Sequence, residues 1–220
     1  MRVVLLGPPG VGKGTQGRRL AIDRGRALIS TGEMLRDAVA RQTSLGRQAK
    51  ERMDAGNLVP DELIVGLVRE RTLEPDAREG FVLDGFPRTV PQAVALDAML
   101  AERAESLDGV VLLAAPDDEL VRRLSGRWEC PVCRRVYNTE TAPSRDGRHC
   151  DDHPTVELRQ RADDAEATVR TRLEVYRKQT APLVEFYRSS GRLWEVQGTG
   201  PLETVYAALV RAMNGGAGRM

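Results

Sequence analysis

The sequence predicts an α/β protein in which a parallel, doubly wound sheet is covered by helices on both faces. Short runs of apolar residues recur along the chain and alternate with stretches that have the 3.6-residue period of amphipathic helices. The runs lack the polar alternation of half-exposed strands, which indicates strands buried on both faces. The first run leads into a glycine-rich loop that opens a helix, and this connection is typical of such folds.

The strands and helices are expected in a regular order. Apolar runs predict five strands, at residues 3–6, 27–29, 81–83, 110–113 and 193–196. Besides the helix after the first loop, helical spacing predicts helices around residues 63–71, 169–187 and 202–210. The helix at 169–187 should be interrupted near Pro182, because proline has no backbone N–H. The glycine-rich segment 214–220 is expected to be frayed.

Two stretches do not follow this alternation. Residues 30–59 predict short helices without a strand, and Ser30 with Glu33 predicts a capping box at the first of them. Residues 127–163 are polar and have no helical period. We interpret these two stretches as insertions on a core that is formed by residues 1–29, 60–126 and 164–220.

Composition excludes several classes of protein. The chain has 220 residues, which is the size of one domain with insertions. Its 33 basic and 32 acidic residues give a formal net charge of +1, which argues against a broad nucleic-acid-binding surface. No apolar run approaches the roughly 18–20 residues of a membrane span. The apolar run near the N-terminus is too short for a signal peptide, so the sequence predicts a cytosolic protein.

The segment 7–15, Gly-Pro-Pro-Gly-Val-Gly-Lys-Gly-Thr, has the spacing of a phosphate-binding loop. Glycines allow successive backbone N–H groups to surround an anion, and the N-terminus of the next helix adds partial positive charge. Lys13, one of only three lysines in this arginine-rich chain, can reach the β- and γ-phosphates of a nucleotide. Gly14 stands where the strict motif has Ser or Thr, and Thr15 follows it. The alternative is a glycine-rich turn without a ligand.

All three cysteines and both histidines lie between Cys130 and His153. Cys130 and Cys133 form one pair with two residues between them, and Cys150 and His153 form a second pair sixteen residues later. This spacing suits tetrahedral Zn²⁺, and four protein ligands would make the metal structural. His149 is a rival ligand. A Cys130–Cys133 disulfide is the main alternative, but it is disfavoured in the cytosol.

Several segments resemble adenylate kinase, in the order and at the spacing of that family. They are GPPGVGKGTQ, STGEMLR, GNLVPDELI, FVLDGFPRT with Gln92, and ELRQRADDAEATVRTRL. The resemblance covers nearly the whole chain. It implies a five-stranded parallel core with two mobile insertions, one for the nucleoside monophosphate and one that forms a lid over ATP. Some bacterial members have a zinc lid of this spacing, usually with Cys or Asp as the last ligand, so His153 departs from the pattern.

The resemblance also implies roles for individual residues. The residues expected to take part in phosphoryl transfer are Lys13, Asp84, Arg88, Arg123, Arg161 and Arg172. Those expected to bind ATP are Gly10, Val11, Gly12, Lys13, Gly14, Thr15, Arg127 and Gly200. Those expected to bind AMP are Thr31, Arg36, Asn57, Leu58, Val59, Gly85, Phe86, Pro87, Arg88, Gln92, Arg161 and Arg172. Asp84 also ends a predicted strand, where a carboxylate could hold Mg²⁺ through water.

The resemblance thus predicts reversible phosphoryl transfer from MgATP to AMP, giving two ADP. The enzyme is expected to be monomeric and cytosolic, with structural Zn²⁺ in its lid and with no nucleic-acid or membrane partner.

Arg123 and Arg127 are four residues apart, so their side chains would share one helix face if a single helix carried both. Three alternatives remain open at this point. They are a UMP/CMP kinase, a nucleotide-binding regulatory module without turnover, and a zinc-dependent ATPase that binds nucleic acid.

Overall fold

The computed structural model describes residues 1–216 and has a five-stranded parallel sheet at its centre. The strands of this sheet are β1 (Arg2–Leu6), β2 (Ala27–Ser30), β3 (Phe81–Asp84), β4 (Gly109–Ala114) and β9 (Leu193–Gln197). Their order across the sheet is β2-β3-β1-β4-β9, so β1 lies between β3 and β4. The predicted α/β class and all five predicted strands are confirmed.

The sheet is buried on both faces, as the continuous apolar runs predict. Along β1, Val4 packs into an apolar cluster on one face of the sheet, whereas Val3 and Leu5 pack into a second cluster on the other face. These side chains are at most 2% exposed. Burial of one such side chain contributes roughly 1.5–3 kcal/mol to folding.

Helices cover both faces of the sheet. They are α1 (Lys13–Arg24), α4 (Asp61–Thr72), α5 (Val90–Ala101), α6 (Asp117–Ser125), α7 (Glu166–Val175), α8 (Pro182–Ser189) and α9 (Leu202–Gly216). The predicted interruption near Pro182 is present, because a π-helical segment (Tyr176–Thr180) separates α7 from α8. Fraying at 214–216 is a wrong prediction, since the buried Met213 anchors the last turn of α9. Residues 217–220 lie outside the described residues.

The first insertion consists of two short helices, α2 (Thr31–Ala40) and α3 (Ser44–Asp54), and the described residues place no strand between them. The predicted capping box does not form, because the Ser30 hydroxyl donates to Asp84 Oδ2 (3.3 Å) and Glu33 pairs with Arg18. The two helices touch where a Cβ on Gly46 would clash with the carbonyl of Ala38. We call α2 and α3 the AMP-side insertion, after the role that the resemblance implies for it.

The second insertion, which we call the lid, contains two antiparallel hairpins. Its strands are β5 (Arg127–Glu129), β6 (Val136–Asn138), β7 (His149–Cys150) and β8 (His153–Glu157). Cys130, Tyr137, Cys150 and Leu158 form a small apolar cluster of their own. Because α6 ends at Ser125, Arg127 lies on β5, and the condition for a helix face shared with Arg123 is not met.

Candidate active site

The carboxyl edge of the sheet opens into a cavity of about 1180 Å³. The connection from β1 leads to β2 on one side of β1, whereas the connection from β3 crosses to β4 on its other side. Ligands of parallel α/β sheets bind at such a switch point. All of the predicted ATP- and AMP-binding residues except Phe86 line this cavity. The Phe86 side chain is buried in the apolar core, so only its backbone could face a ligand.

The loop between β1 and α1 has the geometry of an anion cradle. Gly10 (φ 85°) and Gly12 (φ 103°) adopt left-handed backbone conformations that disfavour other residues. Gly12 is the residue before α1, so the free N–H groups of the first helical turn face the cavity edge. Lys13 Nζ donates to the carbonyl oxygens of Gly7 (2.7 Å) and Pro8 (2.8 Å). The loop thus holds its lysine in a folded-back position beside the cavity.

Lys13 lies in an environment that disfavours its charged form. Burial is the main cause, and together with Arg88, Arg172 and Arg127 it lowers the pKa of Lys13 to about 8, although Asp84 acts in the opposite direction. A phosphate placed beside the ammonium group would favour the charged form. The buried positive charges at this site therefore favour the binding of an anion.

Asp84 is the last residue of β3 and lies beside the loop. Its Oδ2 accepts the Ser30 hydroxyl, and a Cβ on Gly14 would come within 3.3 Å of the same oxygen. Glycine at position 14 therefore leaves space next to the carboxylate. Oxygen donors of this kind suit Mg²⁺, which keeps several of its waters when it binds a nucleotide. The residues present fit a hydrated magnesium ion.

Two of the arginines expected to bind AMP, Arg36 and Arg88, are half-buried and have no ion-paired carboxylate in the described part of the chain. Arg88 Nε donates to the Gly85 carbonyl (2.8 Å), and burial lowers the pKa of Arg88. The buried Nε of Arg36 has no hydrogen-bond partner within residues 1–216. Burial and the neighbouring Arg161 lower the pKa of Arg36 to about 10. Both guanidinium groups are thus available to an anionic ligand.

Arg127 of the lid and Arg172 of α7 are held by two carboxylates at the base of the lid. Arg127 makes two hydrogen bonds to Asp164, at 2.8 and 2.6 Å, and Asp164 is 1% exposed. Arg172 bonds the same carboxylate at 3.1 Å and the Asp163 carboxylate at 3.0 Å. The bidentate geometry fixes the plane of the Arg127 guanidinium. These two aspartates therefore orient two cations towards the cavity.

Two further arginines are positioned by glutamates. Arg161 Nε donates to Glu129 Oε2 at 2.5 Å, and Glu129 is only 7% exposed. Arg123 Nε donates to Glu119 (2.8 Å), and its Nη1 donates to the Gly198 carbonyl (2.9 Å). All of the predicted arginines therefore reach one cavity from separate elements.

Thr31 and Gln92, which are expected to bind AMP, are buried in a polar network. The Thr31 hydroxyl donates to the Gly85 carbonyl at 2.8 Å. Gln92 Nε2 donates to Asp61 (2.7 Å), and its Oε1 accepts the Arg88 backbone N–H (2.7 Å). Thr89 also donates to Asp61, at 2.8 Å. The Gln92 amide is thereby fixed in orientation and retains one N–H and one lone pair for a ligand.

The four predicted metal ligands converge in the lid. The donor atoms of Cys130, Cys133, Cys150 and His153 all lie within 4.8 Å of one another. Cys133 Sγ is 3.6 Å from Cys150 Sγ, and His153 Nδ1 is 3.6 Å from Cys150 Sγ. Tetrahedral Zn–S bonds of about 2.3 Å place sulfur atoms roughly 3.8 Å apart, so the donor set fits zinc. His149 instead contacts Asp146 at 2.7 Å.

Tyr137 packs against Cys130 and Cys150 of this cluster. Its hydroxyl accepts the Asp151 N–H (2.9 Å), which directs its own proton towards Cys150 Sγ at 3.4 Å. Burial raises the pKa of Tyr137 to about 12, so the hydroxyl remains a donor. All three cysteines are free, and the disulfide alternative gains no support in the described residues.

Comparison with known proteins identifies the family. The family profile described as adenylate kinase matches residues 5–192. The chain belongs to the adenylate kinase family. An adenylate kinase of Acidothermus cellulolyticus is 52% identical over 214 residues, covering 97% of this chain and 98% of the relative. Adenylate kinases of Moorella thermoacetica (51% identical, covering 97% and 98%) and Archaeoglobus fulgidus (48% identical, covering 94% of each) are also similar.

Membership of the adenylate kinase family makes this chain a kinase that binds ATP and AMP. The matched relatives quoted above carry that one name, so the UMP/CMP kinase alternative gains no support. Within residues 1–216, no helix combines the length and the apolar character that a membrane crossing requires.

Sequence reasoning missed several residues of the adenylate kinase site. Asp61 fixes Gln92, Glu129 holds Arg161, and Glu119 holds Arg123. Asp61 belongs to the segment GNLVPDELI, so its motif could have indicated a role. Glu119 stands four residues before Arg123, a spacing that could have indicated an ion pair on one helix face. Glu129 has no comparable signal, because its partner is set by the pairing of residues 129 and 159.

Proposed function

We propose that this chain transfers the terminal phosphoryl group of MgATP to AMP, with the reactants aligned in the cavity at the end of β1. The observation that carries the proposal is the convergence of Lys13 and six buried or half-buried arginines on one cavity beside Asp84. These arginines are Arg36, Arg88, Arg123, Arg127, Arg161 and Arg172. Phosphoryl transfer requires alignment and charge neutralisation rather than covalent chemistry by the protein.

On the ATP side, the loop from Gly10 to Thr15 would surround the β-phosphate with backbone N–H groups. Lys13 would neutralise charge on the β- and γ-phosphates of ATP. Arg123 and Arg127 would contact the same phosphates from the side of the lid. Gly200 lies next to this end of the cavity and would contact the adenine of ATP through its backbone. Asp84 would hold the waters of Mg²⁺, which supplies charge neutralisation on the nucleotide when it is bound.

On the AMP side, Arg36, Arg88, Arg161 and Arg172 would bind the acceptor phosphate and orient it for in-line attack. Gln92 and Thr31 would contact the adenine, and the backbone of residues 57–59 would close the pocket around it. Gly85 and Pro87 continue the same wall. The fixed orientation of the Gln92 amide supports recognition of a base that offers a matching donor and acceptor.

Acceptor choice tests the AMP pocket. We expect kcat/KM for AMP to exceed that for UMP and CMP by about a hundredfold or more, because a buried amide that loses its partner is costly. A coupled assay with AMP, GMP, CMP and UMP measures the ratio. Gln92→Met should reduce it, whereas Gln48→Met, on an exposed part of α3, should leave it unchanged. Equal kcat/KM for UMP and AMP would contradict the proposal.

We infer that Cys130, Cys133, Cys150 and His153 hold a structural Zn²⁺ that stabilises the lid. Four protein ligands leave no open position for water or phosphate, so these residues do not support Lewis-acid catalysis. The ligand pairs lie at the two ends of a sixteen-residue segment. Binding would cross-link the two hairpins in a compartment where a disulfide would be reduced.

Chelation tests this role. We expect removal of one equivalent of zinc to lower the melting temperature. Activity at low temperature should persist, because the four zinc ligands are not among the residues proposed to bind the phosphates. His153→Ala should lose the metal, and His149→Ala should keep it as the matched control. Metal analysis and a melting scan with and without chelator check both points. Loss of catalysis at a temperature where the fold survives chelation would contradict a purely structural role.

The monomeric state and the cytosolic location also belong to this proposal. The support for a monomer is that the cavity is complete in one chain, since the described loop, lid and AMP-side insertion all contribute residues to it. Equilibrium sedimentation of the purified protein would measure the oligomeric state.

A further inference from the structure

A row of ion pairs runs from the AMP-side insertion across to the lid. Arg134 Nη2 donates to Asp37 Oδ1 at 2.5 Å, and Arg134 Nη1 lies 3.6 Å from Glu129 Oε1. The other oxygen of Glu129 accepts Arg161 Nε at 2.5 Å. We call these four residues the bridge. It joins residues that are 97 positions apart in the sequence.

Both ends of the bridge lie next to arginines of the phosphate site. Asp37 directly follows Arg36 on α2, and Arg161 is itself an end of the bridge. The two insertions therefore meet through a contact that includes Arg161 and lies one residue from Arg36. Arg36 and Arg161 repel each other across the cavity, and the carboxylates of Glu129 and Asp163 offset that repulsion at Arg36.

The backbone at Arg134 is unusual for an arginine. Its φ is 61°, in the left-handed region that favours glycine. It directly follows Cys133 in the turn between β5 and β6. Glycine would satisfy the turn better, so local geometry alone does not account for the arginine. The contact with Asp37 gives the side chain a role that glycine could not perform.

We propose that Arg134 and Asp37 are positioning residues that hold the lid against the AMP-side insertion and, through Glu129, place Arg161 beside Arg36 while both nucleotides are bound. This inference rests on the proposed function of the cavity. The Arg134 and Asp37 side chains are 30% and 50% exposed. In such surroundings two charges about 4 Å apart change an equilibrium constant by roughly fivefold.

Charge reversal tests the pair directly. We expect Asp37→Arg and Arg134→Asp each to raise KM for AMP about fivefold, with a smaller change in kcat, because the closed complex is weakened. The double variant should recover most of the loss, since it restores opposite charges. The matched control is the Arg148→Glu, Glu157→Arg pair, whose members both lie in the lid. Neither control variant should change KM for AMP.

Arg134→Gly separates positioning from stability. Glycine relieves the left-handed backbone, so the melting temperature and the metal content should not fall. KM for AMP should nevertheless rise about as much as in Asp37→Asn, because both variants remove the same contact. If Arg134→Gly lowered the melting temperature and left KM for AMP unchanged, the role of Arg134 would be structural and the proposal would be wrong.

The outcomes distinguish this inference from the proposed function. A wild-type protein that fails to phosphorylate AMP contradicts the function of the cavity. An active wild-type protein whose single reversals leave KM for AMP unchanged contradicts the bridge alone. The same holds if the effects of the two reversals simply add and the double variant shows no recovery.

Discussion

Replacing Lys13 with methionine should abolish turnover while the fold persists. Methionine has nearly the length of lysine but no charge, so the phosphate loop would lose its one cation without losing its packing. Removing a single preorganised charge from a phosphoryl-transfer site should reduce kcat by about 10²–10³ or more. The wild-type ammonium group is buried and is held by the carbonyls of Gly7 and Pro8.

Lys178→Met is the matched control for this experiment. Lys178 is an exposed residue of the π-helical segment, and its replacement should leave kcat unchanged. Circular dichroism and melting curves of both variants establish that the fold is retained. A folded Lys13→Met protein with near-normal kcat would contradict the assignment of the loop to phosphate binding.

The second large effect is expected for Asp164→Asn. Asp164 is buried and accepts hydrogen bonds from both Arg127 and Arg172, so neutralising it leaves two close cations with one carboxylate fewer. Removing one member of a buried ion-pair cluster typically costs 3–5 kcal/mol of folding free energy. We expect Asp164→Asn to lose about 3 kcal/mol of folding free energy, the low end of this range, because both guanidinium groups also border the cavity.

The same substitution should reduce activity more than stability alone explains. Arg127 and Arg172 would lose the bidentate and shared contacts that orient them, so kcat should fall even at temperatures where the variant is folded. Denaturant unfolding and steady-state kinetics measure the two effects. The control is Glu166→Gln, which removes an exposed pair with Arg170 nearby and should cost less than 0.5 kcal/mol. An Asp164→Asn protein as stable and active as this control would refute the argument.

The core strands β1, β3 and β4 could be predicted from the sequence because each is an apolar run buried on both faces. β9 is only partly buried and contains the exposed Glu195, so its apolar pattern is weaker. The lid strands could not be predicted, since they are two to five residues long, partly exposed and rich in polar residues. Local sequence carries little information about such strands, and their pairing depends on contacts between distant segments. The capping box failed for a related reason, because the Ser30 hydroxyl bonds Asp84 on the neighbouring strand instead.

Some residues of the site could be predicted from their spacing in the sequence, whereas others come together only in the folded chain. The phosphate loop and the metal ligands have a fixed spacing in the sequence, so their residues could be named in advance. Glu129, which orients Arg161, has no such spacing, since the two residues are 32 positions apart and meet only when the lid strands pair. The expected role of Asn57 in binding AMP stays a prediction, because only its position on the cavity wall is known.

The close contact of α2 with α3 at Gly46 has a consequence for how the acceptor is selected. Because the two helices touch at Gly46 without space for a side chain, they cannot approach each other more closely there. Arg36 lies on the first helix, and residues 57–59 follow the second, so the separation between these two groups has a lower limit. A monophosphate with its base attached has a definite length from phosphorus to ring. The AMP-side insertion can therefore exclude nucleotides by their length as well as by their base.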